Sequence, residues 1–211
     1  FCFSLMNRIK AFISYSSEEK SVGGRFRSYI KDYCGYEVFI AHDDIPGSSV
    51  WEEEIIKAIE KSDFFIPLIS QEFAKSPFAD QETGIAICLK KKIIPIKIDF
   101  TNPYGFISKF QAIPFKDDIK GVALAIAQIG LSYDVPYRQK VLTSTVYALC
   151  NSNSFETANA TIGTVCKCKD LSRDHLRQIV QAINTNSQIQ GAFELHVLKK
   201  FLSGVYKLAI D

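Results

Sequence analysis

One aromatic ring a helical turn ahead of one carboxylate carries the most chemical content in this 211-residue chain. The two are Phe78 and Glu82, in the segment Ser76-Pro77-Phe78-Ala79-Asp80-Gln81-Glu82. The segment follows a strand-like apolar run over 64–70 and leads into a helical pattern that begins Thr83-Gly84-Ile85-Ala86. A spacing of four puts both side chains on one face of a helix, one above the other. An aromatic plane beside a single carboxylate at the carboxyl edge of a strand suits a flat, cationic, nucleotide-like ligand.

The elements that must position this pair alternate in type. Strands are expected over 8–15, 37–41, 64–70 and 93–99, and helices from Ser16 or Ser17 to about Cys34, from Trp51, over 79–90 and over 119–131. Ser16 or Ser17 with Glu18 and Glu19 reads as a helix cap with an acidic first turn, and Gly35 as the stop. On the helix opened by Trp51, the residues Trp51, Ile55, Ala58 and Ile59 share a face. Pro95 removes a ladder donor, which places its strand near an edge or at a bulge. Residues 100–117 read as irregular. Strands apolar on both faces, in four successive βα units, imply a flavodoxin-like doubly wound parallel α/β sheet. Ligands of such sheets bind beyond the carboxyl ends of the strands. Ser14 and Tyr15, Asp43 and Asp44, and Phe78 with Glu82 all follow strand ends there. The polar loop His42-Asp43-Asp44-Ile45-Pro46-Gly47 precedes Trp51.

From about Val135 the pattern is all helical. Helices are expected over 137–149, 155–165, 171–183 and 192–210, separated by Asn151-Ser152-Asn153-Ser154 and Asn184-Thr185-Asn186-Ser187. In the last of them Phe193, Val197, Phe201 and Val205 form a stripe with Leu198, Leu202 and Leu208 beside it, a pattern expected to face a core. The domain boundaries read from the sequence are 6–134 and 135–211, the second a small helical region for assembly or regulation.

Ala11-Phe12-Ile13-Ser14-Tyr15-Ser16 resembles the first-strand motif of TIR domains. Asp43-Asp44-Ile45-Pro46-Gly47 resembles their BB loop, and Trp51-Glu52-Glu53-Glu54-Ile55 the helix start common in bacterial members. The segment from Ser76 to Glu82 resembles the one that carries the glutamate of NAD-cleaving members. The likeness covers about residues 8–131. It implies that Glu82 is the catalytic glutamate and that Phe78 stands where the family commonly has Trp. It further implies NAD+ as substrate rather than resident cofactor, cleavage to nicotinamide and ADP-ribose or a cyclic ADP-ribose-type signal, self-association through TIR domains, and a part in bacterial antiviral defence with a separate effector reading the product. The other reading is a TIR scaffold that acts by association without catalysis.

Phe78 stacks on nicotinamide in this reading, or belongs to the core. Asp43 and Asp44 orient ribose hydroxyls or shape the loop. Ser14 and Tyr15 line the floor of the site or are ordinary strand-end polarity, and Trp51 borders the ligand or packs under the loop.

Composition excludes several classes. A net charge of +2 gives no electrostatic footprint for nucleic acid, and Lys90-Lys91-Lys92 reads as a solvated connection. The six cysteines include no Cys-x-x-Cys pair, and Cys166-Lys167-Cys168 is too tight for the usual zinc pair. Cys88, within an apolar helix, is expected to be a buried thiol. These spacings point to a reducing, cytoplasmic compartment and no metal. No run approaches the roughly 20 apolar residues of a membrane span. No Gly-x-Gly-x-x-Gly or Walker pattern is present, so NAD+ is not held as in a dehydrogenase.

Overall fold

Apolar strands that alternate with helices bury both strand faces only if each helix carries the chain back to start a parallel neighbour. A computed structural model, which describes residues 7–40 and 51–208 apart from the side chain of Trp51, has this form. β1 (Lys10–Ser14) lies between β2 (Glu37–Ile40) and β3 (Phe64–Ile69). Beyond β3 come the short strands β4 (Lys92–Ile93) and β5 (Ile96–Lys97), then β6 (Ile113–Pro114). All pairings are parallel, and the order β2-β1-β3-β5-β6 is that of a flavodoxin-like doubly wound sheet. The helices are α1 (Lys20–Tyr29), α2 (Trp51–Lys61), α3 (Pro77–Cys88) and α4 (Ile119–Leu131).

On one sheet face Phe12, Phe65 and Ile69 meet Ile55 and Ile59 of α2 and Ala79 and Ala86 of α3. The Phe12 ring stacks on Phe39 at 5.5 Å and on Phe65 at 5.7 Å between centroids. On the other, Ile13, Phe64 and Ile66 are fully buried, and Phe26 of α1 meets Phe115 edge-on at 5.4 Å. Every position of β3 is buried, as a central strand covered on both sides requires.

Several local expectations are corrected. The first helix is broken into a 3-10 turn at Ser17–Glu19, α1, and a π turn at Ile30–Cys34. Pro95 does lie near an edge, as expected: only β6 is outside β5, β4 pairs with β3 alone, and the missing donor splits the strand into β4 and β5. Residues 100–117, read as irregular, supply β6, whose only cue is the pair Ile113-Pro114. Cys88 is exposed, because the face of α3 turned to the sheet is that of Ala79, Glu82 and Ala86. Lys91 is not merely solvated: its Nζ donates to the carbonyls of Glu60 (2.6 Å) and Ser62 (2.8 Å), closing the carboxyl end of α2.

By compactness the chain divides into two units, one of 9–30 and 36–125, the other including 31–35 and the chain from Ile126 onward. The division falls within α4. The second unit is built on α5 (Tyr137–Cys150), α6 (Phe155–Val165), α7 (Arg173–Thr185), α8 (Ser187–Gln190) and α9 (Leu195–Tyr206). Its core joins Leu142, Val146 and Leu149 to Ile162, Ile179, Leu198 and Leu202. The stripe expected in the last helix is out of phase. Leu198 and Leu202 are buried, whereas Phe193 and Val205 are exposed, since Gly191 ends α8 and α9 begins only at Leu195. The polar breaks serve as caps. Ser154 and Thr157 form a capping box, and Asn186 caps α8 while its amide donates to the carbonyls of Cys150 and Ser152.

His175 completes a second capping box with Ser172 and ties α7 to α5. Its Nδ1 accepts from the Ser172 N–H at 3.3 Å, so Nε2 carries the proton and donates to Thr143 Oγ1 at 3.1 Å; that hydroxyl donates onward to the Gln139 carbonyl. Burial holds the imidazole below its ordinary value of 6.5, against the opposing charge of Asp174. The native state therefore binds this proton less well than the unfolded chain. Its contribution to stability is complete above pH 6.5 and is lost as pH falls below that value. Protection factors in α5 and α7, the exchange rates corrected for their intrinsic pH dependence, are expected to be lower at pH 5 than at pH 7.5. In His175→Gln, which keeps an acceptor for the Ser172 N–H, the acid-dependent part of the change is expected to disappear.

Candidate functional site

The amino end of α3 is fixed by its sequence. Ser76 caps it by accepting from the Ala79 N–H at 3.3 Å, and Pro77 takes the first turn, where no N–H is needed. The outer side is tied down by Asp80, which accepts from the Tyr104 hydroxyl at 2.7 Å; Tyr104 in turn lies edge-on to Phe73 at 6.5 Å. With the start and outer side set, the face carrying residues 79, 82 and 86 turns to the sheet.

On that face Ala79 and Ala86 are core residues and Glu82 stands between them, 7% exposed. The matching position on the sheet is Ser14, the last residue of β1 and on the same face as Phe12 two residues earlier. Ser14 is 1% exposed, and its Oγ donates to Glu82 Oε2. Two positions where the pattern calls for apolar residues thus hold a carboxyl and a hydroxyl that satisfy each other. Burial pushes the Glu82 carboxyl up from 4.5 to about 7, against the opposing pull of the Ser14 hydroxyl. A carboxyl that changes charge near neutral pH at the carboxyl edge of a parallel sheet is suited to meeting developing positive charge.

Phe78, one turn earlier, is 47% exposed and is not part of the core. Tyr15 is 5% exposed, its ring against α1, where a Cβ on Gly23 would come within 2.6 Å of it. The structure therefore brings Ser14 and Glu82 into contact, leaves the Phe78 ring accessible and packs Tyr15 inward. Asp43 and Asp44 lie outside the described residues, as does the side chain of Trp51.

Further acids at the same edge escaped the sequence reading. Glu19, read there as a first-turn helix residue, is raised by burial; the Ser70 hydroxyl, just after β3, donates to it and opposes the shift, while Asp99 and Glu72 add to it. Burial also opposes ionisation of Asp99, but the N–H groups of Thr101 (2.6 Å) and Gln71 (2.9 Å) hold its carboxyl below the ordinary value. The cue for these contacts was the position of Ser70 and Asp99 just past strand ends. Among the described residues no group of three or more His, Cys, Asp or Glu side chains is placed to hold a metal ion. A separate groove of about 390 Å³ opens at the opposite, amino-terminal edge, lined by Lys10, Glu37 and Lys61 among others. It contains none of the residues above.

A family model described as TIR domain matches residues 11–128. A search of curated proteins finds no match. Among solved structures, the TIR domain of the Toll-related Receptor TRR-2 from the lower metazoan Hydra magnipapillata is similar in fold. The TM-score is 0.50 at 20% sequence identity, over 58% of this chain and 98% of that one.

Proposed function

The chain belongs to the TIR domain family, and from that premise we propose that it cleaves the bond between nicotinamide and ribose in NAD+, with Glu82 as the catalytic carboxylate. The observation that supports this most is the burial of Glu82 in a core position with Ser14 as its hydrogen-bond partner. Such a carboxyl costs stability and has no packing role that alanine would not serve as well, the usual mark of a residue kept for chemistry.

In the reaction the bond from ribose C1′ to the pyridinium nitrogen breaks. Its electron pair goes to the ring, and nicotinamide leaves neutral without a strong general acid. The ribose acquires oxocarbenium character. Glu82, as carboxylate, stabilises that charge in a poorly solvated setting and accepts from a ribose hydroxyl. Water then adds at C1′ and loses a proton to give ADP-ribose, while an internal hydroxyl gives a cyclic product. Phe78 offers an aromatic face to the nicotinamide. Self-association through the TIR unit, with the helical unit promoting or restraining it, fits a part in antiviral defence.

The charged form of Glu82 is the active one, which sets the pH dependence. kcat/KM for nicotinamide release is expected to fall about tenfold per pH unit below about 7, the value at which the buried carboxyl of the free protein titrates. The acid limb of kcat is expected at lower pH, because the positive pyridinium of bound NAD+ favours the carboxylate. A flat profile between pH 5 and 8 would contradict the assignment. Phe78→Ala is expected to raise KM about 3- to 10-fold, the worth of one aromatic stacking contact. Phe78→Trp is expected to restore it.

A further inference from the structure

Glu82 is held from one side only. Oε2 accepts from the Ser14 hydroxyl, Oε1 has no protein donor among the described residues, and the side chain keeps 7% of its surface exposed. Ser14 has little other use for its hydroxyl. It is 1% exposed, it ends β1 opposite Pro67 of β3, and it lies on the sheet face of Phe12, where the aromatic and aliphatic cluster packs. An alanine there would suit the surroundings better, as the alanines on the facing stripe of α3 do.

We infer that Ser14 is a positioning residue for Glu82: its hydroxyl anchors Oε2 at the carboxyl end of β1, turns Oε1 toward the ligand and favours the charged form of the carboxyl. The inference rests on the reading of Glu82 as the carboxylate that meets the ribose. Ser14 does not touch substrate in this account and acts through Glu82 alone. A serine hydroxyl donates one proton, and a carboxylate uses it better than a carboxylic acid does. Removing it leaves burial unopposed, so the carboxyl holds its proton to higher pH. The strand places the Ser14 backbone: Ser14 lies opposite Pro67 of β3, and the residues of β1 up to Ile13 pair with β2 as well. The carboxyl on α3 is thereby tied to the end of β1.

Two measurements on the whole chain test this. The first is the titration of the Glu82 carboxyl by carbon-13 NMR without substrate, its signal assigned by its loss in Glu82→Gln. In Ser14→Ala the midpoint is expected to rise by about 1 pH unit, the worth of a hydrogen bond to a charged group. Ser14→Cys, of similar shape with a weaker donor, is expected to fall between the two and serves if the alanine protein does not fold. The second is the pH profile of nicotinamide release. The acid limb in Ser14→Ala is expected to move up by the same unit, giving about a fivefold loss at pH 7 and recovery at pH 9. A loss of similar size at every pH would be structural and would overturn the inference, as would an unmoved NMR midpoint. A raised midpoint in a protein that never releases nicotinamide would uphold Ser14 as the group that sets Glu82 ionisation and overturn the glycohydrolase reading instead.

Discussion

Glu82→Gln is expected to lower nicotinamide release by on the order of 100- to 1000-fold, the range seen when one preorganised electrostatic contact to a transition state is removed. The substitution preserves shape, and the Ser14 hydroxyl still finds an oxygen to donate to, so fold and packing of α3 are expected to survive. Charge is what disappears. The same variant has a second expected signature, in stability, and the two together are what mark the residue. The native state holds the Glu82 proton more tightly than the unfolded chain does, with midpoints of about 7 and 4.5. Stability from this group is therefore greatest below pH 4.5 and declines as pH rises through 7. Over that interval it amounts to about 3 kcal/mol. Chemical denaturation is expected to show wild type losing this amount relative to Glu82→Gln between pH 4 and pH 8. Activity lost while stability improves at high pH is the pattern of a residue retained for function. Full release of nicotinamide by the glutamine protein would remove Glu82 from the mechanism.

The largest expected effect on stability is at Gly35, in the helical unit. Gly35 follows the π turn Ile30–Cys34 with φ of +71°, in the left-handed region that glycine adopts without penalty. Its N–H donates to the Lys31 carbonyl at 3.1 Å, and its carbonyl accepts from Arg8 Nη1 at 3.1 Å. More restrictive is what lies beside it. A Cβ there would fall 2.0 Å from the Ser144 carbonyl oxygen and 3.0 Å from the Ala148 nitrogen, both backbone atoms of α5. Backbone inside a helix cannot rotate aside as a side chain would. Gly35→Ala therefore combines left-handed strain with overpacking against a rigid element, and is expected to cost about 4 kcal/mol. Equilibrium denaturation followed by helical circular dichroism would measure it. A cost below about 1 kcal/mol would show that the approach of residue 35 to α5 is looser than described.

How much of this was legible beforehand depended on the range of each determining contact. β1, β3 and the core face of α2 were readable because their apolar pattern is local and both strand faces are buried. The cap of α3 was readable as Ser76-Pro77. Strands of two residues were not, because β4, β5 and β6 exist through their pairings and carry almost no pattern of their own. Gly35 was visible as a helix stop, but the reason only glycine fits lies at Ser144, more than a hundred residues away. The phase of the last helix was misread because Phe193 continued an apolar periodicity across a turn that ends at Gly191. In the candidate site, Glu82 and Phe78 were singled out by their spacing and by family resemblance. The pairing of Ser14 with Glu82 joins residues 68 positions apart, and nothing local predicts it. Tyr104 with Asp80 and Ser70 with Glu19 were missed for the same reason.

The most direct test incubates the purified full chain with NAD+ across a wide range of protein concentrations, with and without a crowding agent, and measures free nicotinamide by chromatography. The account predicts release that rises more steeply than protein concentration, as self-association through the TIR unit would give, and products that resolve into ADP-ribose or a cyclic form. Intact NAD+ at every concentration and in every assembled state would contradict it and leave the TIR unit as a scaffold.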